Sequence, residues 1–331
     1  MHKCFYGIAY NRSAAYGPLS TSVRAELFAE ADEILAPIVN VIVKSFANDD
    51  QMSFDDTKIK IQPLEKGGSK TGWASVFIGR DCVIYFLDRD HAGIVFEKIL
   101  QQRIPILQKP LALSDALPAY TPYKKSCVDL HCFTHARRRF IDAKEDDEEF
   151  CDEMVKLIGE IYKIDDKTKK MTDLERMKVH ARKSRPIFNT IMDTLQTAVE
   201  EKRFLPNGDL SKGINYWLED FNKITEFTRT PGVLLDTNHV ERGVKAPIRI
   251  RKQAPIFKTE EGAKRVGRML TLTETCRKIG VNPSHYLTWA LKGARKNKNP
   301  IELTPWVFKR HLEIEESFQS SNFEREGPLT E

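Results

Sequence analysis

Three acidic positions far apart in the sequence are of the type that holds divalent cations. Asp55 lies in the first predicted strand, Asp115 directly follows the fourth, and Glu241 lies in the first turn of a late predicted helix. Strand ends and helix starts around one sheet edge are where ligand sites gather in α/β folds. Three carboxylates at such an edge can hold two Mg²⁺ or Mn²⁺ ions, which clamp the attacking and leaving oxygens of a phosphoryl transfer.

Each of these acids also fits a purely structural role. Asn238 and Glu241 fit a helix capping box, with Asn238 as the N-cap and Glu241 at position N3. Asp115 fits an ordinary turn, and Asp55 with Asp56 fits a solvated strand edge. The spacing of the acids alone does not separate these roles from metal binding.

Basic residues follow Glu241 closely. From Asp236 to Arg310 there are 17 Lys and Arg residues against 6 Asp and Glu residues, so this segment attracts polyanions, of which nucleic acid is the natural one. Such bases position a nucleic acid backbone without reading its sequence. A solvated basic helix is the alternative. The candidate phosphate contacts are Arg138, Arg242, Lys245, Arg249, Arg251 and Lys252.

Composition narrows the class of protein. The chain has 331 residues, 41% hydrophobic and 30% charged, which is enough for a sizeable core. No apolar run approaches the roughly 20 residues that a bilayer requires, so we expect a cytoplasmic protein with no membrane partner. Six cysteines occur without a CxxC pair, which argues against a disulfide scaffold and a ribbon-type zinc site.

Cys132 and His135 form a CxxH pair, but two ligands do not make a zinc site. We expect Cys132 to end the fifth strand and His135 to open the next helix, near the active centre.

Hydrophobic periodicity predicts an α/β fold. The predicted elements are a helix at 22–46, strands near 54–61, 73–78 and 82–87, a helix at 91–100, and strands at 111–114 and 128–131. The first three strands can form a meander, whereas the later two must join the sheet after a crossover. The expected sheet is therefore mixed.

A charged helical block extends from about residue 135 to about residue 228. Its first part, 141–175, contains 13 acids and 6 bases, and a break is expected at Pro186. We interpret the block as an insertion into the sheet domain. Two helices follow, at 238–249 and 260–278, and the polar, acidic last twenty residues predict a disordered tail.

Six motifs in the chain resemble those of the insertion-sequence-66 family of transposases. The similarity runs from about Gly17 to Arg310, and the motifs occur in the family's order, which argues against chance agreement. The motifs are Phe54-Asp-Asp-Thr, Asp90-His-Ala-Gly, Leu113-Ser-Asp-Ala, Cys132-Phe-Thr-His-Ala-Arg-Arg-Arg-Phe, Leu235-Asp-Thr-Asn-His-Val-Glu-Arg and Thr273-Glu-Thr-Cys-Arg-Lys-Ile-Gly-Val-Asn-Pro.

The resemblance implies a fold and an activity. The implied fold is a ribonuclease-H-like core, a mixed five-stranded sheet with flanking helices, interrupted by an all-α insertion before the catalytic glutamate helix. In such DDE-type transposases Asp55, Asp115 and Glu241 would be the catalytic residues and would bind two Mg²⁺ or Mn²⁺ ions. Supporting positions near them would be Cys132, His135 and Asn238.

The implied activity is cleavage of a phosphodiester at transposon ends followed by transfer of the freed strand to target DNA. The implied partners are DNA and further copies of the chain in a synaptic complex. The corresponding division of the chain is an N-terminal helical segment at 1–50, the first part of the core at 51–140, the helical insertion at 141–232, the second part of the core with basic helices at 233–296, and a C-terminal segment with a disordered tail at 297–331.

The chain departs from the family pattern in three ways. Thr237 stands in Asp236-Thr-Asn238 where the family usually has Asp-Asn-Asn, and Gln253 replaces a frequent asparagine. Full-length relatives carry a cysteine-rich, DNA-recognising N-terminal region, whereas only about fifty residues precede Asp55, so we expect an N-terminally truncated copy. Two alternatives stay open: a catalytically inactive DNA-binding remnant, and a ribonuclease-H-like nuclease acting on RNA/DNA hybrids.

Overall fold

Five strands and ten α-helices make up the part of the chain that the computed structural model describes, residues 19–63, 68, 70–116 and 125–325. The first elements are α1 Thr21–Ala47, β1 Gln51–Lys60, β2 Thr71–Ile78, β3 Val83–Asp88, α2 Ala92–Leu100, β4 Leu111–Ser114 and β5 Val128–His131. Then follow α3 Phe133–Asp142, α4 Glu148–Thr168, α5 Asp173–Glu200 and α6 Asp209–Ile224. The last helices are α7 Asn238–Gln253, α8 Glu260–Lys278, α9 Pro283–Ala294 and α10 Pro305–Arg325.

The strands form one mixed sheet in the order β3-β2-β1-β4-β5. Strands β2 and β3 are antiparallel, whereas β4 is parallel to both β1 and β5. The predicted α/β architecture, a mixed five-stranded sheet with flanking helices, is confirmed. None of the helices in the described part of the chain is long and apolar enough to cross a bilayer.

The described residues form two compact units. The first comprises residues within 1–49, 56–107 and 244–331, and the second comprises 50–55 and 108–243. In the first unit, α8 covers the edge strand β3. The amides of Val83 and Tyr85 donate to the hydroxyls of Thr275 and Thr271, at 3.1 and 2.9 Å. A Cβ on Gly267 would come within 2.9 Å of the Tyr85 carbonyl oxygen, so this close approach requires glycine.

The second unit has an aromatic core around Phe133, the first residue of α3. The ring centroid of Phe133 lies 5.8 Å from those of Phe188 and Trp217 and 5.9 Å from that of Phe227. The indole of Trp217 donates to the carbonyl of Ala136 at 3.0 Å, so its polar atom is satisfied in the core. Helices α4–α6 therefore pack on the segment that directly follows β5.

Two expectations from the sequence are wrong. The break predicted at Pro186 does not occur, because α5 runs through it from Asp173 to Glu200. Pro186 is exposed, as is Arg182 one turn earlier, so water can solvate the carbonyl that loses its helical partner.

The described part of the predicted disordered tail is also helical, since α10 extends to Arg325; residues 326–331 lie outside the described residues. Phe308 anchors the start of α10 on Trp289, with ring centroids 5.0 Å apart. One turn later, His311 Nε2 lies 3.2 Å from Glu315 Oε1, a pairing that supports an exposed helix.

Candidate active site

Asp55 and Asp115 lie on neighbouring parallel strands. The register of β1 and β4 sets Ser53 opposite Leu113. Asp55 lies on β1 two residues after Ser53, and Asp115, the residue that directly follows β4, lies two residues after Leu113. Side chains two residues apart in a strand share a face, and adjacent strands are about 4.8 Å apart. Both residues are half-buried.

The end of β5 holds the start of the glutamate helix. Cys132 follows β5, and its amide donates to the Ser114 carbonyl at 2.9 Å. The Cys132 Sγ accepts hydrogen bonds from the Thr237 amide at 3.3 Å and from the Thr237 hydroxyl at 3.1 Å. Burial raises the pKa of Cys132, although the hydrogen bonds from Thr237 lower it. Cys132 is thus a protonated thiol that anchors Thr237.

The first turn of α7 differs from the capping box that the sequence suggests. The amides of Val240 and Glu241 donate to the Thr237 carbonyl, at 2.8 and 3.0 Å, so Thr237 occupies the N-cap position and Glu241 is the fourth helical residue. The carboxylate of Asp236 accepts from the Asn238 amide at 3.0 Å and from its Nδ2 at 2.6 Å. Asp236 therefore performs the capping role that Asn238 and Glu241 fit in the sequence.

His135 and Asp236 lie within electrostatic range of Glu241. Burial lowers the pKa of His135, the charge of Arg138 lowers it further, and Glu241 and Asp236 act in the opposite direction. Burial raises the pKa of Asp236, and Asp165 and Glu241 add to that effect. The predicted supporting residues thus gather around the first turn of α7.

The donor atoms at this site fit a hard divalent cation, because carboxylate oxygens are the ligands that Mg²⁺ and Mn²⁺ prefer. Among the residues that the structure describes, no group of three or more His, Cys, Asp and Glu side chains is arranged to hold a metal ion. Asp55 lies on β1, and Asp115 directly follows β4, the parallel strand that pairs with β1. Glu241 lies one turn after Thr237, which is bonded to Cys132 at the end of β5.

The basic residues of α7 form a stripe. Arg242, Lys245, Arg249 and Lys252 recur at steps of three and four residues, so they share one face of the helix, and all four are exposed. Arg251 is different, because its Nη1 donates to the Lys58 carbonyl at 2.9 Å.

Arg138, the sixth predicted phosphate contact, is exposed on α3.

Thr134 and Tyr162 lie near the site, and the sequence does not indicate that they are in contact. Thr134 Oγ1 lies 2.7 Å from the hydroxyl of Tyr162 and donates to Asp236 Oδ2 at 3.3 Å. Tyr162 is 28 positions and Asp236 is 102 positions from Thr134 in the chain, so no local pattern reveals this contact. One feature of this group could be expected from the sequence. An Asp placed just before a helix commonly caps it through its side chain, as Asp236 does.

Comparison with known proteins agrees with the motifs. The model of the Transposase IS66 family matches residues 2–265, a range that contains all three predicted catalytic acids. The chain is 26% identical over 323 residues to the uncharacterized protein y4hP of Sinorhizobium fredii (strain NBRC 101917 / NGR234), covering 88% of this chain and 57% of y4hP. It is 23% identical over 183 residues to the uncharacterized protein y4jD of the same organism, covering 54% of this chain and 35% of y4jD. Because the family model covers most of its length, this chain belongs to the IS66 family of transposases.

Proposed function

We propose that this chain is the catalytic core of a DNA transposase, with Asp55, Asp115 and Glu241 as metal ligands. The observation that carries the proposal is the parallel pairing of β1 with β4: Asp55 lies two residues after Ser53, the last paired residue of β1, and Asp115 lies two residues after its partner Leu113. Glu241 would join them through α7, since the N-cap of this helix is bonded to Cys132 at the end of β5. The five-stranded mixed sheet, followed by a helical block before the glutamate helix, supports a ribonuclease-H-like core.

The three carboxylates would hold two Mg²⁺ or Mn²⁺ ions. Such ions supply activation of water and charge stabilisation at the attacking and leaving oxygens of a phosphodiester. The chain's own part is to hold the acids in place: strands β1 and β4 set Asp55 and Asp115, and the hydrogen bonds of Asp236 and Thr237 set the first turn that carries Glu241. Strands and helices are rigid elements, which suits a site that must hold the reacting groups in a fixed geometry.

The exposed stripe of α7 would bind the DNA backbone. Its four bases, Arg242, Lys245, Arg249 and Lys252, follow Glu241 on the same helix and are all exposed, so they are open to phosphate groups. Contacts of this kind orient a duplex and make its affinity dependent on salt. DNA ends and target DNA are the proposed partners, and a synaptic assembly of several copies is the proposed working form.

Asp115→Asn tests the catalytic assignment. The purified protein, given transposon-end DNA and Mn²⁺, is expected to nick or join strands, and Asp115→Asn is expected to lower the rate by about a hundredfold or more, because the ions lose a charged ligand. A gel assay of labelled DNA measures both products. Asp166→Asn is the matched control, since Asp166 is exposed in α4 and pairs only at the surface with Lys169.

Three outcomes would contradict the proposal. Full activity in Asp115→Asn would remove Asp115 from the site. Salt-sensitive DNA binding by the wild-type chain without metal-dependent cleavage would indicate a DNA-binding remnant. Cleavage of RNA/DNA hybrids in preference to DNA would indicate a nuclease of different substrate class.

A further inference from the structure

We infer that Tyr162, on helix α4 of the insertion, is a positioning residue for the glutamate helix. Its hydroxyl reaches the start of α7 through two hydrogen bonds, from Tyr162 to Thr134 and from Thr134 to Asp236. The part of the inference that concerns DNA cleavage rests on the proposed function. The part that concerns the hydrogen bonds and the position of α7 rests on geometry alone.

The direction of the chain follows from the number of protons available. Thr134 has one hydroxyl proton, and its Oγ1 donates that proton to Asp236 Oδ2 at 3.3 Å. The 2.7 Å contact between Thr134 Oγ1 and the Tyr162 hydroxyl must then use the proton of Tyr162. Tyr162 therefore donates to Thr134, and Thr134 donates to Asp236. The second of these hydrogen bonds ends on the carboxylate of Asp236, which caps α7.

The start of α7 is held from two sides. Thr237 is bonded through its amide and hydroxyl to Cys132, at the end of the sheet strand β5. Asp236, the preceding residue, is held by Thr134 and in turn holds both nitrogens of Asn238. The first contact ties α7 to the sheet, and the second ties it to α3 and, through Tyr162, to the insertion. The orientation of Glu241, one turn further on, depends on both.

Tyr162 is well placed to act as a fixed donor. Its ring packs against that of Phe133, with centroids 5.4 Å apart, so the hydroxyl has a defined position. Burial raises the pKa of Tyr162, so the hydroxyl keeps its proton at physiological pH. Hydrogen bonds in such a partly buried, low-dielectric setting are stronger than those in water.

A role in core packing alone is the competing explanation for Tyr162, and the hydroxyl distinguishes the two. A phenylalanine would keep the ring on Phe133 but would lose the donor to Thr134. Tyr216 provides the matched control, because it lies on α6 of the same insertion and its ring stacks on His131 at 5.6 Å. The buried Tyr216 hydroxyl has no hydrogen-bond partner among the described residues.

Hydrogen exchange of α7 tests the inference without any enzymatic assay. In Tyr162→Phe, the amides of residues 238–241 are expected to exchange about three- to tenfold faster than in the wild type, the factor that loss of one hydrogen bond gives. Tyr216→Phe is expected to leave the same amides unchanged. Mass spectrometry of peptides spanning these residues measures the rates. Equal exchange in both variants and the wild type would overturn the inference.

DNA cleavage provides the second readout. Tyr162→Phe and Thr134→Val are each expected to raise, severalfold, the Mn²⁺ concentration that gives half-maximal cleavage, with unchanged DNA affinity, because a less firmly held Glu241 binds metal more weakly. Thr134→Ser keeps the hydroxyl and is expected to restore the wild-type requirement. An unchanged Mn²⁺ requirement in both variants would overturn the positioning role. Absence of cleavage by the wild type would instead contradict the proposed function, and the exchange result would still decide the inference.

Discussion

Single residues of α4 and α5 show how a half-buried charge is stabilised. The carboxylate of Asp165 accepts hydrogen bonds from Arg176 Nη2 at 2.7 Å and Nε at 3.1 Å, and lies 3.2 Å from His180 Nε2. His180 Nδ1 in turn lies 2.8 Å from the Ser184 hydroxyl. This order of Ser, His and Asp matches a hydrolase triad in type only, because Ser184 and His180 have no exposed surface for a substrate to reach. Its role is structural.

The Asp165 cluster predicts a pH dependence of stability. Burial raises the pKa of Asp165, but its bonds to His180 and Arg176 outweigh that effect, and the pKa lies below its usual value of 3.8. A lowered carboxyl pKa stabilises the fold above the unfolded-state pKa, and this contribution is lost as the pH falls through the folded-state pKa. Asp165→Asn is therefore expected to cost about 1.5–3 kcal/mol of unfolding free energy near neutral pH and much less at a pH well below the usual carboxyl pKa of 3.8.

Urea unfolding at the two pH values measures this difference. Asp166→Asn is the control, because Asp166 is exposed and is expected to change stability by less than about 0.5 kcal/mol at either pH. An equal loss for Asp165→Asn at both pH values would assign the effect to packing rather than to charge.

Helices α1 and α8 are joined by a buried ion pair. Asp32 on α1 is 2% exposed and accepts a bidentate contact from Arg268 on α8, with Nε–Oδ1 and Nη2–Oδ2 distances of 2.7 and 2.6 Å. Burying a carboxylate is costly unless such a partner satisfies it. The pair therefore specifies how these two helices pack within the first unit.

Arg268→Ala is expected to lower the free energy of unfolding by about 3–5 kcal/mol, because it leaves the Asp32 carboxylate buried without its bidentate partner. Arg277→Ala, on the same helix, is the matched control: Arg277 pairs with Glu274 at an exposed position, where ion pairs contribute about 0.2–1 kcal/mol. Thermal and denaturant unfolding compare the two variants. Similar losses in both would show that Asp32 finds another partner.

Over the whole molecule, charge is segregated along the chain. The segment 236–310 carries a large excess of Lys and Arg, whereas 141–175 carries 13 acids against 6 bases. This asymmetry favours binding of a polyanion to the basic segment and disfavours its contact with the acidic helices. The exposed stripe of α7 is the part of the basic segment that begins beside a predicted catalytic acid.

Replacing Lys245, Arg249 and Lys252 by Gln tests this assignment. Loss of three phosphate contacts is expected to weaken duplex DNA binding, and to reduce the slope of log affinity against log salt by about 0.9 for each contact. Fluorescence anisotropy at several salt concentrations measures the slope. The control replaces three exposed lysines of the insertion, Lys170, Lys178 and Lys183. An equal change in slope for the control would mean that net charge, rather than the stripe, governs binding.

The sequence by itself determined the elements, the family and the candidate acids. Hydrophobic residues that recur every two positions indicate a strand, and those that recur every three to four positions indicate a helix. The five strands, α7 and α8 could be predicted from these patterns. The six motifs identified the family, which the family model confirms. Local rules failed at two places: α5 continues through Pro186, which is exposed, and α10 continues to Arg325 after Phe308 has packed against Trp289.

Only the tertiary structure decided which distant residues meet. The hydrophobic period does not encode strand register, and it is the register that pairs Ser53 on β1 with Leu113 on β4. The capping role passes from Asn238 to Asp236 because Thr237 is bonded to Cys132, a residue 105 positions away. The link from Tyr162 to Asp236 likewise depends on packing of the insertion against α3. Hydrophobic periodicity indicates whether a residue is buried. Which residue it contacts depends on how separate elements pack in three dimensions.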